Sequence, residues 1–361
     1  MKHLEFVKKA TLVAVASFAL VSCRDTDSVV GVEEQGVVQK DVISNITNNV
    51  IISTYQDLNQ KALHLKNKID EMTVGNEQAL LAARQAWIEA RSPWEKSEGF
   101  LYGPVDTEGL DPALDTWPVD VQGMNNIING NQTITAGLIA ANNEVRGFHL
   151  IEYLLWGEDG NKQAHQFTPR EIEYLKAAAQ DLQNNTQKLH LGWITSGGNF
   201  AQYFLNPNPN SPAYKSEKDV LVEITDGIFT ICDEVANTKI AEPLTGDNQA
   251  PAPEKEESRF SHNSKKDFSD NIKSVKNIYL GVYGNGGNGK GISNVVKEKN
   301  AALDNEIRLQ IDEAIMAIDA IPGTFSIAIF NNRPEVMYAQ EKVAKLMDTI
   351  EKKLKPFINN L

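Results

Sequence analysis

The chain has 361 residues and a formal charge of −13, from 35 Lys and Arg against 48 Asp and Glu. That acidic balance excludes the basic face on which nucleic-acid binding depends. With only two cysteines there is no disulfide framework, so stability has to come from packing, in a chain long enough for one large domain or two ordinary ones.

Lys2, Lys8 and Lys9 precede an apolar run from Ala10 to Val21, which is followed by Ser22 and Cys23. A charged start and an apolar stretch of this length are the parts of an export leader, and the stretch is too short to span a bilayer. Leu20-Val21-Ser22-Cys23 further resembles the bacterial lipoprotein signal, in which cleavage leaves a diacylated cysteine as the first residue. On this reading residues 1–22 are removed and Cys23 carries the lipid. The leader holds three Lys and one Glu, so the remaining 339 residues carry a formal charge of −15. Cys232 is then left without an intramolecular partner. Two acyl chains suffice for stable attachment. Arg24 is not the Asp that retains lipoproteins at the inner membrane of enteric bacteria, so the outer membrane is the expected address. Residues 23–36 are polar and acidic after the cysteine, and are expected to be a flexible tether.

Beyond the tether, apolar residues recur at helical spacing and no run alternates as a strand should, which makes the class all-α. The pattern predicts helices at about 37–73, 76–101, 130–156, 168–195, 214–239, 265–281, 299–320 and 332–357. Thr168-Pro169 with Glu171 marks one helix start, and Asn332-Arg333-Pro334-Glu335 another. Asn206-Pro207-Asn208-Pro209-Asn210-Ser211-Pro212 cannot be helical, because each proline removes a donor and restricts the residue before it. This break divides the helices four and four, into expected four-helix bundles at 37–200 and 213–361. Glu242 to Ser258, rich in Pro and Glu, reads as an exposed loop. The halves echo each other faintly, in Gly99-Phe100-Leu101-Tyr102-Gly103 and Leu280-Gly281-Val282-Tyr283-Gly284.

Gly147-Phe148-His149-Leu150-Ile151-Glu152 is the sharpest chemical signal. Three residues apart on a helix, His149 and Glu152 share a face and could offer an imidazole nitrogen and a carboxylate oxygen to one metal ion. Gly147 would let another element approach closely. Spacing alone equally allows a plain surface pair, since two ligands do not make a site. There is no His-Glu-x-x-His, which removes the usual helical zinc-protease arrangement, and no Glu-x-x-His of the di-iron bundles. Upstream, Arg91, Trp94, Glu95 and Glu98 form a polar, aromatic face, although Ser92-Pro93-Trp94-Glu95 also fits a capping box. The acids that follow, Asp106, Glu108, Asp111, Asp115 and Asp120, lack EF-hand spacing, and turn chemistry is the expected role for most of them. Residues 284–291 approach a P-loop, but Gly291 stands where a magnesium-binding Ser or Thr belongs. In Ser258-Arg259-Phe260-Ser261-His262-Asn263-Ser264, Ser264 with Asp267 reads as a helix cap.

Together the G-x-H-x-x-E motif at 147–152, the R-x-P-W-E-x-S-E run at 91–98 and the D-P-x-L-D-x-W-P-V-D stretch at 111–120 resemble the imelysin-like family of bacterial exported proteins, once grouped with peptidases and associated with iron uptake. The resemblance extends over most of the mature chain, with Ser258 to Tyr279 similar to the family's later polar segment. It implies two similar four-helix bundles, an internal duplication, with a functional site at their interface. It also implies His149 and Glu152 as site residues, with Gly147, Arg91, Trp94, Glu95, Glu98, Ser261 and Asn263 around them; on the first function below, His149 and Glu152 are metal ligands and Glu95 or Glu98 completes the shell. Three functions follow as expectations. The first is a membrane-tethered component of iron uptake that holds iron, zinc or an iron-containing ligand and serves an uptake receptor or permease. The second is a metallopeptidase with Glu95 or Glu98 as base, and the third a protein that binds a partner or organic ligand without metal.

Overall fold

In the structure, a computed structural model, residues 30–284, 287 and 289–361 are described, with side chains from Val38 onward apart from that gap. Cys23, the leader and the first part of the expected tether lie outside them. Among the described residues there is no β-strand and no helix long and apolar enough to cross a membrane. Helix α1 (Val30–Asn45) runs through a π-turn at Ile46–Ile51 into α2 (Ile52–Asp70). Residues 30–36 are therefore helical backbone, where the sequence reads as tether.

The first half continues with α3 (Glu77–Glu95), the short α4 (Leu110–Asp115), α5 (Gly147–Trp156) and α6 (Pro169–Trp193). Helices α2, α3, α5 and α6 pack as a ring, α2 against α3 and α6, α5 against the same two. The second half comprises α7 (Glu217–Glu234), α8 (Ser264–Leu280), α9 (Ile292–Lys299), α10 (Ala301–Asp319) and α11 (Arg333–Thr349). There α7, α8, α10 and α11 close a second ring, each touching its two neighbours. The rings meet where α3 packs on α8 and where the turn at Glu98–Phe100 lies on α7 and α8. The partition at 206–212 is incomplete, because α1 packs on α7 and α9 of the second half.

Local chemistry accounts for the boundaries that hold. Thr168 and Glu171 exchange side-chain and backbone hydrogen bonds as a capping box ahead of Pro169. Ser216 and Asp219 do the same for α7. Three expectations fail. The stretch expected to be one helix at 130–156 is helical continuously only from Gly147, since Thr135 caps a separate short turn and Gly147 has φ +84°. Ser92-Pro93-Trp94-Glu95 is the last turn of α3 and not a helix start, because the core burial of Trp87, Trp94 and Ala90 carries the helix through Pro93. Ser264 does not cap α8, since its hydroxyl is turned to Glu256 Oε1 at 2.6 Å and the Glu257 carbonyl at 2.7 Å, with one proton between the two contacts.

Large aromatics fill the core of the first ring. Tyr55, Trp87, Trp94, Phe148, Tyr174 and Trp193 are fully buried, with Trp87 Nε1 donating to the Phe148 carbonyl at 3.0 Å and Tyr174 to that of Val145 at 2.7 Å. Just before α5, Arg146 binds Asp181 of α6 through both carboxylate oxygens at 2.7 Å, a buried bidentate pair that ties the start of α5 to its neighbour. Arg146→Met would leave Asp181 buried and unpaired, at a cost of about 3–5 kcal/mol. Urea unfolding is expected to show that loss, and Arg146→Met combined with Asp181→Leu to recover most of it.

Candidate functional site

The functional groups converge on the guanidinium of Arg91, which projects from α3 and is fully buried. Its Nη2 lies 2.6 Å from Glu95 Oε1 and 3.1 Å from Glu257 Oε1, its Nε 3.5 Å from Asp267 Oδ2, and its Nη1 pairs with Asp115. Burial alone would strip its proton more easily. The four carboxylates, Asp115 foremost, instead raise its pKa well above the ordinary value. A single ion pair at about 3 Å returns roughly 5 kcal/mol at an effective dielectric constant of about 20. Removing an ion from water costs several kcal/mol, so one partner would barely offset burial and four hold the charge firmly.

His149, also fully buried, is one turn inside α5. Its Nδ1 lies 3.1 Å from Glu152 Oε2, and the other oxygen of Glu152 accepts from the Ser261 backbone N–H at 2.8 Å and hydroxyl at 2.7 Å. Both oxygens of Glu152 are thus engaged, and the ring is turned so that Nε2 faces Glu257 Oε1 at 3.1 Å and Asp115 Oδ1 at 3.3 Å. Arg91 Nη2 stands 3.2 Å from Nε2, two positive groups held together by the acids between them. Burial and Arg91 push the imidazole pKa down, but Asp115 and hydrogen bonds from Glu152 and Glu257 outweigh them and raise it to about 9. Gly147 sets the depth of the helix, since a Cβ there would lie 2.5 Å from the Leu114 carbonyl oxygen of α4. That close approach carries Asp115, the next residue, to the ring.

Two trios of possible ligands result, each with its donor atoms within 4.8 Å of one another: Asp115, His149 and Glu257, and Glu95, Glu98 and Asp115. The expected ligands are redistributed accordingly. His149 belongs to the first trio, Glu152 orients it from behind, and Glu95 and Glu98 stand in the second trio, joined to the first through Asp115. Trp94 Nε1 donates to Asp115 Oδ2 at 2.6 Å, and Asn263 Nδ2 to Asp267 Oδ1 at 2.6 Å, so both steady acids and neither faces the imidazole. Burial raises Glu95 to about 8 despite Arg91, while Asn271 Nδ2 donates to its Oε2 at 2.6 Å. Glu98 is held well above the usual carboxylate range, chiefly by burial, and Asp267 is raised by burial to about 6. Glu257 runs the other way: burial would raise it, but Lys239, whose Nζ lies 2.8 Å from Oε2, together with His149 and Arg91 lowers it well below the carboxylate range.

The sequence reading does not single out Glu257 or Lys239, and it groups Asp115 with acids for most of which turn chemistry is expected. The stretch 242–258 is not a plain exposed loop. It contains helical turns at Ala241–Thr245 and Pro253–Lys255, buries Glu256 and Ser258, and delivers Glu257 to Arg91 and His149. The available signal was Glu256-Glu257-Ser258, two acids running directly into the polar stretch at 258–264. Turn chemistry does describe Asp120, whose side chain caps the helix Val121–Ile128 through the Gly123 N–H at 2.8 Å.

A folded-state pKa near 9 against an ordinary value near 6.5 means that His149 contributes stability that is complete below about pH 6.5 and lost as pH rises through 9. Ring-proton NMR is expected to show one histidine titrating near 9. Urea unfolding at pH 6 and pH 9 should differ less for His149→Gln than for the unsubstituted chain, and an equal pH dependence would remove the imidazolium from the cluster.

Comparison with known proteins places these features in context. The model of the family described as imelysin matches residues 51–354. Iron-regulated protein A of Synechococcus elongatus is 28% identical over 332 residues, 90% of this chain and 88% of that protein. A crystal structure of a provisionally assigned iron-regulated protein A precursor from Parabacteroides distasonis superposes with a TM-score of 0.79 at 28% identity, over 88% of this chain and 94% of that one. An imelysin-like protein from Psychrobacter arcticum gives a TM-score of 0.72 over 90% and 96% at 13% identity, a likeness of fold alone.

Proposed function

This chain belongs to the imelysin family, and from that premise we propose that it is an exported, lipid-anchored protein of iron uptake that captures a metal cation at Asp115, His149 and Glu257. One observation carries the reading. Six carboxyl groups, Glu95, Glu98, Asp115, Glu152, Glu257 and Asp267, crowd against only three basic groups, Arg91, Lys239 and His149. Burial first, and the neighbouring acids after it, raise the pKa of Glu95 and Glu98, which favours a proton on each. A di- or trivalent cation would replace those protons and the one on His149. Imidazole and carboxylate donors suit iron and zinc, and Glu152 with Ser261 supplies the outer support that fixes a ligating ring.

Arg91 defines what such an ion must do. It holds Asp115 and Glu257 beside His149 before the ion arrives, and has to release part of that grip as the ion takes those oxygens. Glu95 and Asp267 remain to receive it. Burial of the imidazole favours capture of an ion over cleavage of peptides, since a polypeptide cannot approach a side chain with no exposed surface. The similarity to iron-regulated protein A favours iron among the candidates. An uptake receptor or permease would be the destination of the cargo, and we read the two helical rings as a duplication with the site between them.

Because ligands have to lose their protons before they coordinate, capture is expected to release protons at pH 7 and to strengthen as pH rises toward 9. Calorimetric titration with Fe²⁺ or Zn²⁺ in buffers of different ionisation enthalpy measures both. His149→Ala and Glu257→Gln should each weaken binding at least 100-fold and Glu152→Gln about 10- to 100-fold, in keeping with the supporting role of an outer partner. Unchanged isotherms for His149→Ala with both ions would discard the assignment.

The anchor has its own check. Growth with a labelled fatty acid is expected to label the chain, and Cys23→Ser to abolish the label and release the protein from the membrane fraction.

A further inference from the structure

We propose that the cation reaches the buried centre through an acidic groove on α7 and passes by way of Glu98, with Asp115 handing it from one trio to the other. The inference rests on the metal-capture reading above. A cavity of about 230 Å³ opens between the turn at Glu98–Phe100 and α7, lined among others by Glu98, Tyr102, Glu223, Asp226 and Glu234. Four of these five are carboxylic acids, and Glu223, Asp226 and Glu234 are partly exposed. Clustered acids alone are common on surfaces. Here two groups differ: Glu98 is 7% exposed, and the Tyr102 hydroxyl is buried with no hydrogen-bond partner among the described residues. A buried hydroxyl normally finds a partner, and both residues line the cavity.

Glu98 belongs to this cavity and to the trio with Glu95 and Asp115, and Asp115 belongs also to the trio with His149 and Glu257. Steps of 4.8 Å or less therefore lead from the cavity wall to the imidazole. Carboxylate oxygens at such spacing can share one ion, since metal–oxygen bonds are about 2.0–2.6 Å. The ion would exchange ligands along the way without returning to water. The positive groups facing the path are Arg91 and Lys239 at its inner end, both paired with acids, and Lys355 at its mouth, 2.6 Å from Asp226. Glu223 and Glu234 have no ion pair with a described residue and remain to draw the ion in.

The test follows Zn²⁺ capture by the full chain in detergent, using stopped flow against a fluorescent zinc indicator, alongside equilibrium titration. Glu234→Gln and Glu98→Gln are expected to slow capture at least threefold each at low salt, with Glu234→Gln leaving the equilibrium affinity within twofold. The Glu234 effect should shrink at high salt, as steering by an exposed charge does. Thr230→Trp, which fills the exposed rim of the cavity, should slow entry and release together and leave affinity unchanged. Glu298→Gln, an exposed acid outside the cavity, supplies the control of equal charge change and should bind at the unsubstituted rate. If the unsubstituted chain binds Zn²⁺ and the groove variants capture it just as fast, the route is wrong while the metal site stands. Failure of the unsubstituted chain to bind any cation overturns both.

Discussion

A guanidinium with no exposed surface has to find its counter-charges inside the protein, and in this chain that requirement joins the two halves. Glu95 and Asp115 approach Arg91 from the first half of the chain, Glu257 and Asp267 from the second. Either pair alone would hold the guanidinium less firmly than the four together, since each contact adds to what offsets its burial. The packing of α3 on α8 and the path of 241–258 across the junction satisfy this one charge. The same convergence brings three carboxylates to within reach of one imidazole.

The position of that imidazole is settled by backbone more than by side chains. Gly147 adopts a conformation that side chains resist and lies against the Leu114 carbonyl, so α5 starts where α4 ends. Glu152 then holds the ring from one side, and Ser261, from the far half of the chain, holds Glu152. What an ion would meet is a nitrogen fixed by Glu152 and two acids from irregular parts of the chain, Asp115 at the end of a short helix and Glu257 in a connecting stretch.

Much of this was legible in the sequence where a local rule governs. Helical periodicity identifies seven of the eight expected long helices and only the last part of the one at 130–156, and Thr168-Pro169 with Glu171 marks a true start, because caps and amphipathic faces depend on residues a few positions apart. The Gly-x-His-x-x-Glu run was likewise readable, as was Arg91 beside Glu95. What escaped depends on distance along the chain. Glu257 lies 108 residues from His149 and 166 from Arg91, inside a Pro- and Glu-rich stretch whose composition alone speaks for solvent. Asp115 looked like one turn acid among five until tertiary contact with Arg91 and Trp94 set it apart. Glu152, expected as a ligand beside His149, commits its oxygens to the ring Nδ1 and to Ser261, since helical spacing shows that two side chains share a face and not which of them turns toward a third element. Pro93 misled for the opposite reason: its local preference for a helix start was overridden by the burial of the tryptophans around it.

The residues that would hold an ion are spread over segments that only the finished fold brings together. Asp115 and His149 come from the first half and Glu257 from the second, so a chain caught halfway through folding has at most the trio of Glu95, Glu98 and Asp115 and lacks the one that includes the imidazole. On the proposed reading, holding an ion at the imidazole would certify intact tertiary structure, and immature or damaged copies would leave scarce metal in circulation instead of trapping it unproductively.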